Sequence, residues 1–234
     1  MKLALMQPYF FPYIGYFQLL NAVDHFVIYD DCQYIKQGWV NRNRYLNNGS
    51  PVYFTLPVSK GSMHDLMVDK TIQPQWLKKE AKKFLKSLKQ SYSKAENSEL
   101  LDFIESVVLF ESSDMVDYVE NSIVKVCDIL DIKTTISRSS LLGCDLSNNG
   151  QDRVLDVCKK LKATTYINPV GGAELYSKSE FSDQGIKLYF HKTSKIEYMQ
   201  VGKEEHIPYL SIIDMLLNNG VEKTKSMLRE YCLV

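Results

Sequence analysis

The chain lacks an excess of either charge: 28 Lys and Arg stand against 28 Asp and Glu. Proteins that live on nucleic-acid backbone carry a clear basic excess, so bulk nucleic-acid binding is not expected. No segment approaches the ~18 apolar residues of a bilayer-spanning helix. At the N-terminus Lys2 precedes only Leu3-Ala4-Leu5-Met6 before Gln7-Pro8, with no small-residue cleavage site after it, so no secretory signal is expected. Cys-x-x-Cys is missing, and the five cysteines (Cys32, Cys127, Cys144, Cys158, Cys232) are odd in number. That argues against a disulfide framework and for a reducing cytoplasm. The four histidines, His25, His64, His191 and His206, have no zinc-ligand spacing. Walker A and G-x-G-x-x-G loops are both missing, as are internal repeats. No Ser-His-Asp or Cys-His arrangement is legible, although such partners need not be sequence neighbours.

What is present is aromatic: fifteen Tyr and ten Phe among 234 residues. That length suits one domain carrying a helical insertion and buries enough surface to need no metal staple. Residues 2–6 and 25–30 are short apolar runs bounded by turn signals, as buried parallel strands are. Gly15 to Ala22 makes a helix between them. Val52 to Val58 and Leu66 to Ile72 are read as two further strands. The pattern predicts an open α/β sheet, whose ligands bind beyond the carboxyl ends of the strands.

Residues 74–131 differ in character and are expected to be a three-helix insertion or subdomain. Leu77, Ala81, Phe84, Leu85, Leu88 and Tyr92 recur at helical spacing. Ser93-Lys94-Ala95-Glu96 has the form of a capping box for a second helix, and Val116 to Leu130 carries the stripe of a third. Lys78, Lys79, Lys82, Lys83, Lys86 and Lys89 form a basic face, read either as solvated surface or as a landing site for an anionic partner. Between Glu96 and Asp131 the sign inverts, with ten acids against Lys125. The α/β rhythm then returns: strands at 134–137, 164–167 and 186–190, a helix at 150–161, and helices at 211–218 and 221–231 hinged at Gly220.

Several blocks together resemble the WbqC-like protein family. They are Q-P-Y-F-F-P-Y-I-G-Y-F from Gln7, D-x-x-x-x-x-D-D-C-Q-Y from Asp24, and W-V-N-R-N-R from Trp39. R-S-S at 138–140, Y-I-N-P-V-G-G at 166–172 and L-S-I-I-D-M-L-L-N-N-G at 210–220 complete the set. The resemblance implies a bacterial cytoplasmic protein, some relatives being encoded among O-antigen and other surface-polysaccharide genes. A further likeness is local: Tyr13-Ile14-Gly15-Tyr16 at a helix start is similar to the H-x-G-H element of nucleotidylyltransferases and class I synthetases, with tyrosine at both histidine positions. It implies a three-layer, Rossmann-like (HUP-like), mainly parallel sheet with the insertion at 74–131, and a nucleotide over Gly15.

The candidate site residues gather at predicted strand ends. Gln7, Pro8, Tyr13, Gly15 and Tyr16 form a loop over a helix N-terminus suited to a polar or anionic ligand. Asp30 and Asp31 are candidate catalytic residues, as a general base, as ligands of sugar hydroxyls, or as holders of Mg²⁺. Arg42, the third candidate catalytic residue, offers a guanidinium fork for phosphate or carboxylate, with Gln33, Trp39 and Asn41 as binding neighbours. Arg138, Ser139 and Ser140 present a cation beside two hydroxyls. Asn168, Gly171 and Gly172 suggest a backbone nest for an anion. His206 and His64 are weaker base candidates, and a buried Asp214 would need Arg42 or Arg138 as counter-ion. No metal cluster is expected. The ligand expected is a phosphate-bearing small molecule such as a nucleotide or nucleotide-linked sugar, leaving cofactor and oligomeric state open. The function expected is a transferase of surface-polysaccharide assembly acting on a nucleotide-linked sugar or another activated small molecule, for example acyl or aminoacyl transfer to an amino sugar. The alternatives are an ATP-dependent ligase or nucleotidylyltransferase, and a non-catalytic scaffold of the glycan machinery.

Overall fold

A computed structural model describes residues 1–62, 64–203 and 205–234. Its six-stranded sheet has the order β5-β2-β1-β6-β7-β8. The strands are β1 (Lys2–Met6), β2 (His25–Ile28), β5 (Thr135–Arg138), β6 (Thr165–Pro169), β7 (Lys187–Thr193) and β8 (Tyr231–Leu233). The first five run parallel and β8 is antiparallel to β7. Taken in chain order the parallel strands lie 3-2-1-4-5, a Rossmann-like order that reverses between β1 and β6. The β1–β2 ladder holds over four residue pairs, but β1 and β6 pair only at Lys2↔Thr165 and Leu3↔Tyr166. Beyond that pair no ladder joins the two strands, and Gln7 and Asn168 stand at their carboxyl ends.

Alternation along the buried strands divides the core into two layers. Leu3, Leu5 and Val27 pack with α5 (Gly150–Lys160) and α6 (Lys178–Asp183) on one face. Ala4, Phe26 and Ile28 pack on the other with α1 (Ile14–Ala22) and α7 (Ile212–Met227). The same second core includes the hairpin β3 (Arg42–Asn47) and β4 (Ser50–Thr55), and the helices α2 (Ala81–Ser91), α3 (Leu100–Val108) and α4 (Met115–Ile129). The six lysines from Lys78 to Lys89 are exposed opposite Ala81, Phe84, Leu85 and Leu88. The α7 kink falls at Gly220, whose φ is +72° and whose missing Cβ leaves room for the Asn97 amide. Among the described residues no helix is long and apolar enough to cross a membrane.

Several sequence expectations need correction. Trp39–Arg44 leads into a strand, β3, closed against β4 by Asn48-Gly49, both with positive φ; Asn-Gly is the two-residue hairpin signal. Leu66 to Ile72 is not a strand but a short 3-10 turn at Met67–Asp69. There the Asp69 carboxylate accepts the Leu66 N–H at 3.1 Å, a local bond that competes with an extended ladder. Ser93–Glu96 does not open a helix either. Asn97 N–H bonds Leu217 O at 3.0 Å, holding this stretch against α7, and α3 begins at Leu100.

At the end of β7, His191 is 3% exposed, packs tilted with its ring 4.6 Å from that of Tyr231, and has no hydrogen-bond partner at Nε2 among the described residues. Burial lowers its pKa from 6.5 to about 4. The unfolded chain therefore takes up a proton that the native state refuses, and stability falls as pH drops from 6.5 toward 4. A His191→Leu variant should lose less thermal stability than the parent between neutral pH and pH about 4; parallel pH profiles would contradict the assignment.

Candidate functional site

Beyond β2 the chain places Asp30 and Asp31 beside the turn that follows β5. Asp30 is fully buried. Its Oδ1 accepts the Ser140 N–H at 2.9 Å and lies 3.0 Å from Ser139 Oγ, while its Oδ2 accepts from Ser140 Oγ at 2.6 Å. Ser139 Oγ also sits 2.5 Å from Asp31 Oδ1. The second Asp31 oxygen pairs with Arg153 of α5, the two side chains being 5% and 2% exposed. Arg153 Nη1 donates to Asp145 O at 3.1 Å. Breaking such a buried pair by removing one partner costs about 3–5 kcal/mol. The carboxylates proposed from sequence as base or Mg²⁺ ligands are thus committed to protein donors, and they tie β2, β5 and α5 together. Among the described residues no group of three His, Cys, Asp or Glu is arranged to hold a metal ion. Next to this network Gln7 Nε2 reaches Cys32 Sγ at 3.4 Å. Burial pushes the Cys32 thiol up to about 11, so it is not a thiolate nucleophile at neutral pH.

The loop from Gln7 to Tyr13 is held from three sides. Phe10 N–H bonds Val40 O at 2.9 Å, and the Phe10 ring packs against Phe54, Trp76 and Tyr118. Phe11 has φ +44°, a conformation rare for an aromatic residue. Its carbonyl accepts from Asn43 Nδ2 at 2.8 Å and from Ser211 Oγ at 2.7 Å. Pro12 O accepts the Ile212 N–H at 2.9 Å. Nearby Tyr209, also left-handed at φ +57°, is fixed by Arg44 Nη2, 3.4 Å from its carbonyl.

These constraints build an aromatic cleft. Tyr9, Tyr13, Trp39 and Tyr209, with Pro12 and Asn43, line a compartment of about 230 Å³. Tyr13 and Tyr209, ring centroids 5.9 Å apart, also wall a second compartment of about 240 Å³. Trp39 is 43% exposed and has the Arg42 guanidinium 5.9 Å from its ring; Tyr53 lies 5.1 Å away on the same cation. Among the described residues Arg42 Nε is buried without a hydrogen-bond partner, and the arginine ion pairs involve Arg138 and Arg153 instead. An aromatic concavity with a few polar groups is the usual make-up of a small-molecule site.

Other sequence candidates take structural posts. A Cβ on Gly15 would lie 2.3 Å from Tyr13 Cζ and Oη. The space that the H-x-G-H likeness gave to a nucleotide is therefore filled by the Tyr13 ring. Tyr16 is buried and donates to Gln7 O at 3.0 Å. Pro8 is buried, Gln33 is exposed with its backbone bridged to Leu66, and Asn41 donates to Leu56 O at 2.7 Å. Arg138 faces α4, donating to Glu120 at 2.5 Å and Asp117 at 2.6 Å, which removes it from the phosphate role. Gly171 and Gly172 have no positive φ and enter a 3-10 turn, so no nest forms. Asn168 Oδ1 accepts from Tyr166 Oη at 3.1 Å, and the Asn168 amide fills the space beside Gly172. Asp214 is buried without an arginine. It accepts from Tyr92 and Tyr198 at 2.7 Å each and from Gln200 at 3.1 Å, and burial raises its pKa.

The sequence model of the WbqC-like protein family matches residues 7–226, which include every residue lining the aromatic cleft. The chain belongs to the WbqC-like protein family. The uncharacterized protein Rv1507c of Mycobacterium tuberculosis is 30% identical to this WbqC-like protein over 227 residues, covering 94% of this chain and 95% of that one. No solved structure matches it significantly.

Four contributors escaped sequence reasoning. Tyr9 and Pro12 stood inside the quoted motif but were passed over for its polar members. Tyr209 directly precedes the last motif, and Arg153 sits among the apolar positions of α5, a signal of a buried charge with a partner. The Gly15–Tyr13 contact yields a sign test. Gly15→Ala should destabilise the parent chain, because the Tyr13 ring must leave. In a Tyr13→Ala background the same change should gain Ala helix propensity, up to ~1 kcal/mol. Urea unfolding of the four proteins measures both effects; equal effects in the two backgrounds would show that Gly15 is not reserved for the ring.

Proposed function

We propose that this WbqC-like protein is a cytoplasmic transferase of bacterial surface-polysaccharide assembly that holds a nucleotide-linked sugar, or a comparably activated phosphate-bearing molecule, in the aromatic cleft. The supporting observation is the convergence of Tyr9, Tyr13, Trp39 and Tyr209 beside an arginine with no acid partner among the described residues. Aromatic faces stack on a base or on the apolar face of a sugar ring. A guanidinium fork fits phosphate oxygens. The cleft is built on the loop leaving β1, the strand beside the topological switch point, where ligands of such sheets bind. Family membership supports the polysaccharide setting, and transfer of an acyl or aminoacyl group to an amino sugar is its most concrete form.

In this reading Trp39 and Tyr13 stack on the ring and Arg42 takes the phosphate. The Asp30–Ser139–Ser140 and Asp31–Arg153 ties fix the rim rather than perform chemistry. Titration with UDP-, GDP- and dTDP-linked hexoses, followed by tryptophan fluorescence and calorimetry, tests it. One of these ligands should bind saturably and quench Trp39. Arg42→Ala and Trp39→Ala should each weaken binding at least about tenfold, or ~1.4 kcal/mol, with unchanged melting temperature. Absence of binding by every ligand, or full binding in Arg42→Ala, would overturn the proposal.

A further inference from the structure

Strand β3 carries a second arginine that the proposed function leaves unused. Side chains alternate along a strand, so Arg42 and Arg44 leave β3 on one side while Asn43 turns to the other, where it donates to Phe11 O. Tyr53 stands opposite Arg44 in the ladder, and its ring lies 5.1 Å from the Arg42 guanidinium, on the same side. Residues two apart on a strand have Cα atoms about 6.6–6.8 Å apart. Two positive charges thus share a short stretch of one face, and among the described residues neither has an acid partner. Like charges that close repel, and an anion with charge at two centres relieves both.

Each arginine belongs to a different wall of the cleft. Arg42 meets Trp39, 5.9 Å from its ring. Arg44 Nη2 donates toward the carbonyls of Pro208 and Tyr209 at 3.5 and 3.4 Å. Trp39 and Tyr209 both line the first compartment. The Arg44 backbone is anchored as well: its N–H donates to Asn43 Oδ1 at 2.8 Å, and its carbonyl accepts the Ser211 N–H at 2.9 Å. The left-handed Tyr209, at φ +57°, follows Pro208 in a turn that aims two successive carbonyls at one guanidinium. Strained backbone of this kind gathers at ligand clamps.

In both arginines the nitrogen closed off from solvent is Nε, at the stem, without a partner among the described residues. The side chains are half-buried, and their outer Nη groups reach the surface. Those outer groups are what a ligand meets. One phosphate or carboxylate fills one guanidinium fork and leaves the other charge unpaired. Two adjoining phosphoryl groups fill both, and the rings of Tyr13, Trp39 and Tyr209 suit the base or sugar attached to them.

We infer that Arg44 is a second phosphate contact of the cleft, and that Arg42 and Arg44 together clamp the two phosphoryl groups of a nucleoside diphosphate. The site then discriminates molecules joined through a diphosphate from those joined through a single phosphate, such as an acyl-adenylate. This deepens the proposed function and rests on its placing of phosphate at Arg42, but the phosphate preference is measured apart from any sugar.

Calorimetric titration with UDP, GDP and dTDP and with UMP, GMP and dTMP, run beside the nucleotide-sugar titration, tests it. For at least one base the diphosphate should bind at least about tenfold more tightly than the monophosphate. Arg44→Ala should bring diphosphate affinity to within about threefold of the monophosphate. Arg44→Gln, which keeps an amide donor for the Tyr209 carbonyl but no charge, should do the same with unchanged melting temperature. Lys195→Ala, at a lysine already paired with Glu197, should change nothing. Farnesyl diphosphate, which has the diphosphate but no base, should bind more weakly than the preferred nucleoside diphosphate; tighter binding overturns the nucleoside assignment. No binding of any diphosphate, equal affinity for both classes, or a preference kept in both Arg44 variants overturns the clamp. If Arg42→Ala still weakens nucleotide-sugar binding in that case, the proposed function survives without it. A diphosphate preference lost with Arg44, with no binding of any nucleotide-linked sugar, would uphold the clamp and defeat the donor reading.

Discussion

One carbonyl oxygen organises the functional end of this molecule. Phe11 O accepts from Asn43 on β3 and from Ser211 at the start of α7. The two donors come from segments 32 and 200 residues away in sequence, so a single atom ties the β1–α1 loop to the hairpin and to α7. The positive φ of Phe11 is a strained choice, of order 1–3 kcal/mol, which persists because these bonds and the buried Phe10 ring fix the loop on every side. Tyr9, Pro12 and Tyr13 ride on that loop, Trp39 precedes the hairpin, and Tyr209 precedes α7. Every wall of the aromatic cleft is thus positioned through the same junction.

The rim of the sheet is divided by chemistry. Toward β2 and β5 it is polar but closed: two carboxylates, two serines and an arginine satisfy one another out of water. A network of that kind rigidifies its surroundings when complete and is costly when broken. Toward the β1–α1 loop it is aromatic and open, with the Arg42 charge stacked on rings rather than paired with an acid. Cys32 and Tyr9 join the two halves, the neutral thiol taking a hydrogen bond from Gln7 while burial raises the Tyr9 pKa. The closed half holds the strand ends still, and the open half is left to receive a ligand.

Much of the fold was legible because local signals agreed with burial. The apolar runs at 2–6 and 25–30, the helical stripes of α2, α4 and α5, and the Gly220 kink all follow from periodicity and glycine chemistry. The hairpin was hidden because β3 sends Arg42 and Arg44 to one side and Asn43 to the other, so its inward face reads as polar. Leu66 to Ile72 imitated a strand while Lys70, buried against Asp65, and the Asp69–Leu66 bond made a turn. The site was harder. Sequence names Asp30, Asp31 and Arg138 as reactive types, but their partners Ser140, Arg153 and Glu120 lie 110, 122 and 18 residues away. Only the folded chain shows that the acids are committed to protein donors and that the aromatic members of the same motifs face the cleft.

The most direct measurement of this account is amide hydrogen exchange at Phe10 and Ile212 in the parent chain and in Asn43→Ala. If the Phe11 carbonyl is the junction that sets the cleft, loss of its Asn43 donor should speed exchange at both amides at least tenfold while the amides of β1 and β2 keep their protection. Unchanged exchange at Phe10 and Ile212 in a variant that remains folded would show that packing alone holds the loop, and the central claim would be wrong.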